Sequence, residues 1–256
     1  MCGRYVIVSP PEVLRQVFGY GEMPNMPPQY NIAPTQPVPV VLTEQGARVF
    51  RLMRWGLLPS WLKDPRGFPL MINARVETVL EKAAFRNAIR RRRCLLPADG
   101  YYEWHTSDGR KQPYFIHPRD GGPIGFAGIA ETWSGPNGEE VDTVAIVTAQ
   151  ASADLAVLHH RVPVVIAPGD HERWLDCGAV DAQEALALAA PPAEGAFAWH
   201  PVSVAVNRVS NDGPHLVEAL SEEQIAEEHA RTESGVRRPR RNLAPAKADE
   251  GQGTLF

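Results

Sequence analysis

Val141-Asp142-Thr143-Val144-Ala145-Ile146-Val147-Thr148-Ala149 is a run of β-branched and apolar residues, and it reads as a strand. Comparable runs, bounded by Pro, Gly or Asp, lie at Pro37–Thr43, Val49–Leu57, Tyr114–His117, Ile124–Ala130 and Val162–Ala167. Helical signals are fewer. Ser9-Pro10-Pro11-Glu12 offers an N-cap and first-turn prolines ahead of Val13, Leu14, Val17 and Phe18 at helical spacing, with Gly19 as the stop. A longer helix is predicted over Glu77–Arg92, with Val76, Leu80, Ala84 and Ile89 on its apolar side. Short ones are predicted over Ala153–Leu158 and His171–Leu175. There is no strand–helix–strand rhythm and no G-x-G-x-x-G, which argues against a dinucleotide-binding fold. The expected class is α+β: a single domain with a curved, mostly antiparallel, barrel-like β core and flanking helices.

That domain is expected to fill residues 1–220. From Ser221 the composition shifts: Glu222, Glu223, Glu227 and Glu228 lead into Arg237-Arg238-Pro239-Arg240-Arg241, and residues 221–256 read as a disordered charged tail. The 256 residues are 44% hydrophobic and 22% charged, as in an ordinary soluble globular protein. No run approaches the roughly 18 apolar residues of a membrane span, and no basic-then-apolar leader opens the chain, so a cytoplasmic, nucleoid-associated location is expected. Cys2, Cys94 and Cys177 are odd in number with no metal-type spacing, and read as reduced thiols. The net charge of −4 hides an asymmetry: residues 1–120 carry 17 Lys+Arg against 10 Asp+Glu, and the remainder 9 against 20. Arg86 and Arg90 to Arg93 crowd together, as a polyanion-binding face or a solvated helix face would.

The chain opens Met1-Cys2-Gly3-Arg4. A small second residue favours removal of the initiator methionine, which would leave Cys2 as an N-terminal 1,2-aminothiol. Its amine titrates near 7.7–8.0 and its thiol near 8.5 in ordinary surroundings, about one pH unit from neutrality. Such a group condenses with an aldehyde to an imine and then closes to a thiazolidine. Three other segments concentrate polar residues: Asn73-Ala74-Arg75-Val76-Glu77, Asp99-Gly100-Tyr101-Tyr102-Glu103-Trp104 and His159-His160-Arg161-Val162-Pro163. Taken singly, each also fits an ordinary structural role: Asn73 as a helix cap, Glu103 as a surface carboxylate, His159 or His160 as a satisfied histidine at a helix end. Adjacent histidines are expected to point apart and no third ligand has fitting spacing, so neither metal nor cofactor is expected.

Taken jointly, these segments resemble the SOS-response-associated peptidase (SRAP) family over most of residues 1–220. The resemblance includes Cys-Gly-Arg at the start, Tyr30-Asn31-Ile32-Ala33-Pro34-Thr35 and Arg54-Trp55-Gly56-Leu57-Leu58-Pro59-Ser60-Trp61. Val162 departs from the family's usual Met, a volume change beside the site. The resemblance implies a sensor of abasic sites in single-stranded DNA that captures the ring-opened sugar aldehyde covalently through Cys2. It implies Glu103 as general acid/base, His159 as proton shuttle and Asn73 as positioning group. Arg4, Arg75 and Arg161 are then expected to straddle phosphates, and Trp61 to stack on exposed bases. Asn31 and Pro34 are expected to shape the pocket floor; for Trp55, core packing is the favoured reading. Two other functions remain compatible: a cysteine-dependent (auto)peptidase and a non-covalent binder of modified or single-stranded DNA. The closing Gln252-Gly253-Thr254-Leu255-Phe256 is similar to peptides that dock on the replication sliding clamp, with Gly253 in place of an apolar anchor. Nothing in the sequence demands more than a monomer.

Overall fold

Residues 2–107 and 109–236 are described by the computed structural model, with side chains as far as Arg231. The strands are β1 (Tyr5–Ile7), β2 (Gln29–Ile32), β3 (Pro37–Glu44), β4 (Ala47–Trp55), β5 (Asn73–Arg75), β6 (Arg93–Ala98) and β7 (Gly100–Ser107). They continue as β8 (Arg110–Pro118), β9 (Ile124–Ser134), β10 (Glu140–Gln150), β11 (Arg161–Pro163), β12 (Val165–Ile166) and β13 (Phe197–Pro201). The helices are α1 (Pro11–Phe18), α2 (Ala88–Arg91), α3 (Ala153–Ala156), α4 (His171–Leu175), α5 (Ala182–Leu186) and α6 (Glu222–Val236).

β10, β4, β3, β6 and β9 pair in that order, and β9 pairs back onto β10, so five strands close into a barrel. Closure leaves none of the five as an open edge. The ring is antiparallel except where β10 runs parallel to β4, with Val144 opposite Trp55. Val38, Val40, Leu95, Ile129, Val144 and Ile146 are buried in its core. A second, antiparallel sheet, β13-β8-β7-β1-β2, lies beside the barrel. Tyr5 and Tyr101 are cross-strand partners in this sheet. Both meet Phe126 edge-on at 6.0 Å, and Tyr5 meets Trp55 at 5.3 Å. A separate cluster of Val6, Tyr102, Phe115, Val202, Val206 and Leu216 holds the sheet's other contacts. Gly100 permits this packing, because a Cβ there would stand 2.6 Å from the Ile116 carbonyl oxygen and the Phe115 ring. The α+β class with a barrel-like, mostly antiparallel core is therefore observed.

Three local expectations need correction. Ser9 does not cap α1: Pro10 holds that place, and the Ser9 N–H and hydroxyl both bind the Asp99 carboxylate. The stop at Gly19 is as expected, with φ 73°. The helix predicted over Glu77–Arg92 is reduced to Ala88–Arg91. Upstream, Val76 N–H bonds Thr148 of β10, and three-residue turns at Thr78 and Glu81 alternate with four-residue ones, because a β-branched start tied to a strand cannot wind regularly.

The third correction concerns the region from Ser221. The chain divides into two units, Met1–Leu220 and Ser221–Phe256. Where a disordered tail was expected, α6 occupies Glu222–Val236. Ser221 and Gln224 form a reciprocal capping box, Ser221 N–H to Gln224 Oε1 at 2.9 Å and Gln224 N–H to Ser221 Oγ at 3.3 Å. Arg231 and Glu227 pair one turn apart at 3.1 Å. Arg237–Arg241 and the Gln252–Phe256 peptide lie outside the described residues.

Candidate active site

The C-terminal half of β10 assembles one side of the site. Ile146, Val147 and Thr148 run parallel to Asn73, Ala74 and Arg75 of β5. On its other edge, Thr148, Ala149 and Gln150 run antiparallel to Pro163, Val162 and Arg161 of β11. β1 and β7 supply the rest: Tyr102 N–H bonds the Arg4 carbonyl at 2.9 Å, so the residues leading into β1 lie alongside Glu103. Asp99 fixes this corner by accepting from the Val8 and Ser9 N–H groups. Asn73 joins the two halves, its Nδ2 donating to the Cys2 carbonyl at 2.8 Å.

Cys2 has no exposed surface. Burial pushes its thiol up to about 12, and the charge of Glu103 adds to the rise. Glu103 is itself only 5% exposed. Burial pulls His159 below the ordinary imidazole value, opposed by Glu103. The charge of Glu103 thus reaches both Cys2 and His159, and Asn73 is bonded to Cys2. His159 Nδ1 meets the Arg161 backbone at two points, its N–H at 3.0 Å and its carbonyl at 3.2 Å. His159 and His160 do not point apart as expected: their rings stack at 4.3 Å and 26°. No cluster of three or more His, Cys, Asp or Glu suited to a metal occurs among the described residues. All three cysteines are free thiols.

The residues expected to contact DNA separate into distinct environments. Arg75 is exposed. Arg4 is half-buried, donating to Asn31 Oδ1 and the Val206 carbonyl, both at 2.7 Å. Asn31 is a buried bracket: its Nδ2 reaches the carbonyls of Val206, Arg208 and Asn211 while its Oδ1 accepts from Arg4. Arg161 is buried in a two-point pair with Glu77, Nη1 to Oε1 at 2.6 Å and Nη2 to Oε2 at 3.0 Å. Trp61 is 54% exposed, edge-on to Phe68, with Nε1 on the Ala83 carbonyl at 3.4 Å. Trp55 is core, as favoured above. Pro34 is half-buried beside Thr35, whose φ of 74° is unusual for a β-branched residue.

Trp104 closes the Asp99–Trp104 segment and joins the site, although the sequence assigns it no role. Its half-buried ring lies 5.9 Å from the Arg4 guanidinium and 5.8 Å from the Lys111 ammonium, and Nε1 donates to Asn207 at 2.8 Å. Its place in that segment, next to Glu103, is the sequence signal for it. The Arg run is split between scaffold and surface. Arg92 pairs with Asp142, and buried Arg93 donates to the carbonyls of Trp174, Ile89, Asp176 and Val180. Only Arg86, Arg90 and Arg91 of that run are exposed.

The profile of the family described as SOS response associated peptidase (SRAP) matches residues 1–209. The chain is 32% identical over 223 residues to the abasic site processing protein YoqW of Bacillus subtilis, covering 86% of this chain and 100% of the relative. It is 38% identical over 223 residues to the abasic site processing protein HMCES of Gallus gallus, covering 74% and 66% respectively. A solved structure from Bacteroides thetaiotaomicron shares the fold with a TM-score of 0.79 at 22% identity, over 86% of this chain and 100% of that one. A phage-related protein of Bordetella bronchiseptica is similar at a TM-score of 0.66 and 31% identity, over 78% and 94%.

Proposed function

The chain belongs to the SOS response associated peptidase (SRAP) family, and from that premise we propose that it processes abasic sites in single-stranded DNA by covalent capture on Cys2. The single observation supporting this reading is the Asn73 Nδ2 bond to the Cys2 carbonyl, beside a buried Glu103 whose charge reaches both Cys2 and His159. The names of the relatives, which are abasic site processing proteins, supply the substrate class.

Loss of residue 1 puts a terminal amine at the buried Cys2 position. Burial favours the neutral amine, which is the nucleophilic form. The amine adds to C1′ of the ring-opened sugar and water leaves, giving the imine. The thiol then adds across the imine carbon and its proton passes to nitrogen, closing the thiazolidine with one water released overall. Glu103, a buried carboxyl whose charge acts on Cys2, relays the protons of both steps. Asn73 Oδ1, buried and without a partner, is an acceptor available to the new amine. His159, in its protonated form, can give a proton to the sugar ring oxygen during opening and is left as the neutral ring. Arg4 and Arg75 offer charge to flanking phosphates, Trp61 and Trp104 offer faces to bases, and Arg161 acts from behind through Glu77 and His159.

A thiol-peptidase reading needs a thiolate near neutral pH, whereas the Cys2 thiol is pushed the other way. The deciding experiment compares single strands carrying a true abasic site with strands carrying its tetrahydrofuran analogue, which has no aldehyde. A denaturation-resistant crosslink to the first and none to the second supports capture. Equal, non-covalent retention of both would replace it with the binder reading.

The C-terminal Gln252–Phe256 peptide is proposed as a sliding-clamp contact on sequence similarity alone. Equal clamp retention after its deletion would remove it.

A further inference from the structure

The backbone around His159 is tied on both sides. Its own N–H reaches the Leu155 carbonyl at 3.2 Å, and the His160 carbonyl accepts from Ala151 N–H at 3.0 Å. Two neighbours then hold the ring. At its edge, Nδ1 meets the Arg161 N–H at 3.0 Å and the Arg161 carbonyl at 3.2 Å. On its face lies the His160 ring, with centroids 4.3 Å apart and planes inclined by 26°. Successive side chains of an extended segment point to opposite sides. The chain bends at His160 instead, and the two imidazoles come to the same side.

The Arg161 backbone offers Nδ1 both a donor and an acceptor, so it serves the neutral and the charged ring alike and does not choose between them. The choice falls to burial and to the surrounding charges. Burial opposes the charged ring most, Glu103 of β7 favours it, and the terminal amine and His160 oppose it. His160 acts at ring-contact distance. Two imidazolium rings stacked this closely repel, so the pair takes up its protons in two separate steps. His159 is half-buried and His160 exposed, which leaves the second ring open to exchange with water.

We propose that His160 is a positioning residue for His159: stacked on it, the ring fixes the plane from which His159 gives its proton and disfavours a second proton on the pair. The step served, opening of the abasic sugar, rests on the covalent-capture reading above; the pairing of the two rings does not. In that step the C1′–O4′ bond breaks, O4′ takes the His159 proton, and the C1′ hydroxyl gives its own to the Glu103 carboxylate. Repulsion from a charged His160 makes the His159 proton easier to give up.

The test uses the full chain with Met1 removed, carrying His160→Phe, which keeps a ring on His159 without charge, or His160→Ala, which removes both. Residue 160 is exposed, so neither change opens a cavity. The His159 ring is titrated by nitrogen-15 NMR, its signals picked out from those of the eight histidines by their loss in His159→Gln. In both variants His159 is expected to titrate about half a unit to one unit higher, the scale of one like charge removed at this separation in water. Crosslinking rates with single-stranded abasic DNA are then followed across pH. The alkaline limb of His160→Phe is expected to move up by the same amount. His160→Ala is expected to show that shift with a plateau about tenfold below that of His160→Phe, since its His159 ring is no longer held in plane. A His159 titration that superposes on the wild type in both variants overturns the proposal, as does a His160→Ala plateau equal to that of His160→Phe. Should wild-type protein capture no DNA while the His159 shift persists, the capture reading fails and the pairing of the two histidines stands.

Discussion

Replacing Glu77 by alanine tests how the site is held rather than what it reacts with. Glu77 meets Arg161 at two points, 2.6 and 3.0 Å. The Arg161 side chain is 9% exposed and that of Glu77 48%. Exposed pairs contribute about 0–1 kcal/mol, whereas stranding one partner of a buried pair costs about 3–5 kcal/mol. With one partner half in water, Glu77→Ala should cost about 2 kcal/mol. For a domain of this size that lowers Tm by about 4–8 °C. Function should fall as well, because the Arg161 backbone holds His159 Nδ1 and its guanidinium ties β11 to Thr148 of β10. Urea unfolding of wild type, Glu77→Ala and Glu77→Gln measures the cost, the glutamine being intermediate. The pH dependence has a definite sign. The Arg161 hydrogen bond holds the Glu77 carboxyl below its ordinary value, so the pair's stabilisation is complete above the unfolded value near 4.3 and disappears as pH falls through the folded one. The gap between wild type and Glu77→Ala should be constant from about pH 6 to 8 and narrow below about pH 4. A neutral-pH gap under about 0.5 kcal/mol, the range of an inconsequential surface change, would refute the reasoning, as would a gap that widens in acid.

Three other outcomes are expected. Thr35→Gly should raise stability by about 1 kcal/mol, since φ 74° carries a left-handed penalty for any side chain but none for glycine; a thermal melt that is unchanged or lower would contradict this. Glu103→Gln should slow both crosslinking and its reversal while single-strand affinity is largely kept, so a variant that loses affinity in proportion to rate would place Glu103 in binding. Arg75→Ala should weaken binding to any single strand and reduce the salt slope by about 0.7 for each phosphate it no longer neutralises; identical affinities across a salt series would remove it from the binding surface.

The β core was legible where strands are apolar on both faces. Val141–Ala149 falls within β10 and Pro37–Thr43 within β3. β7 was not, because Tyr101-Tyr102-Glu103-Trp104 carries the site and its polar residues hide the alternation. β1, β2 and β5 are three or four residues long and stable only by pairing, so no local pattern marks them. α6 escapes a reading by composition although Ser221-Glu222-Glu223-Gln224 carries the capping signature, because the acidic run that follows looks like a solvated tail. For the site, Cys2, Asn73, Glu103 and His159 stand in recognisable motifs; Asn73 bonds the Cys2 carbonyl, and the Glu103 charge acts on Cys2 and on His159. What the sequence could not distinguish is an arginine that reaches out from one that reaches in: Arg75 is exposed while Arg161 is buried against Glu77 and Thr148. Burial depends on strand neighbours distant in the chain, which here are supplied by β10.

The most direct test of the central claim is the intact mass of the purified protein, before and after incubation with an oligonucleotide carrying one abasic site, measured under denaturing conditions. The expected result is a chain lacking Met1 that gains the mass of the oligonucleotide less one water, with no gain for Cys2→Ala. An adduct of equal yield on Cys2→Ala, or on chains that retain Met1, would contradict capture by the Cys2 aminothiol.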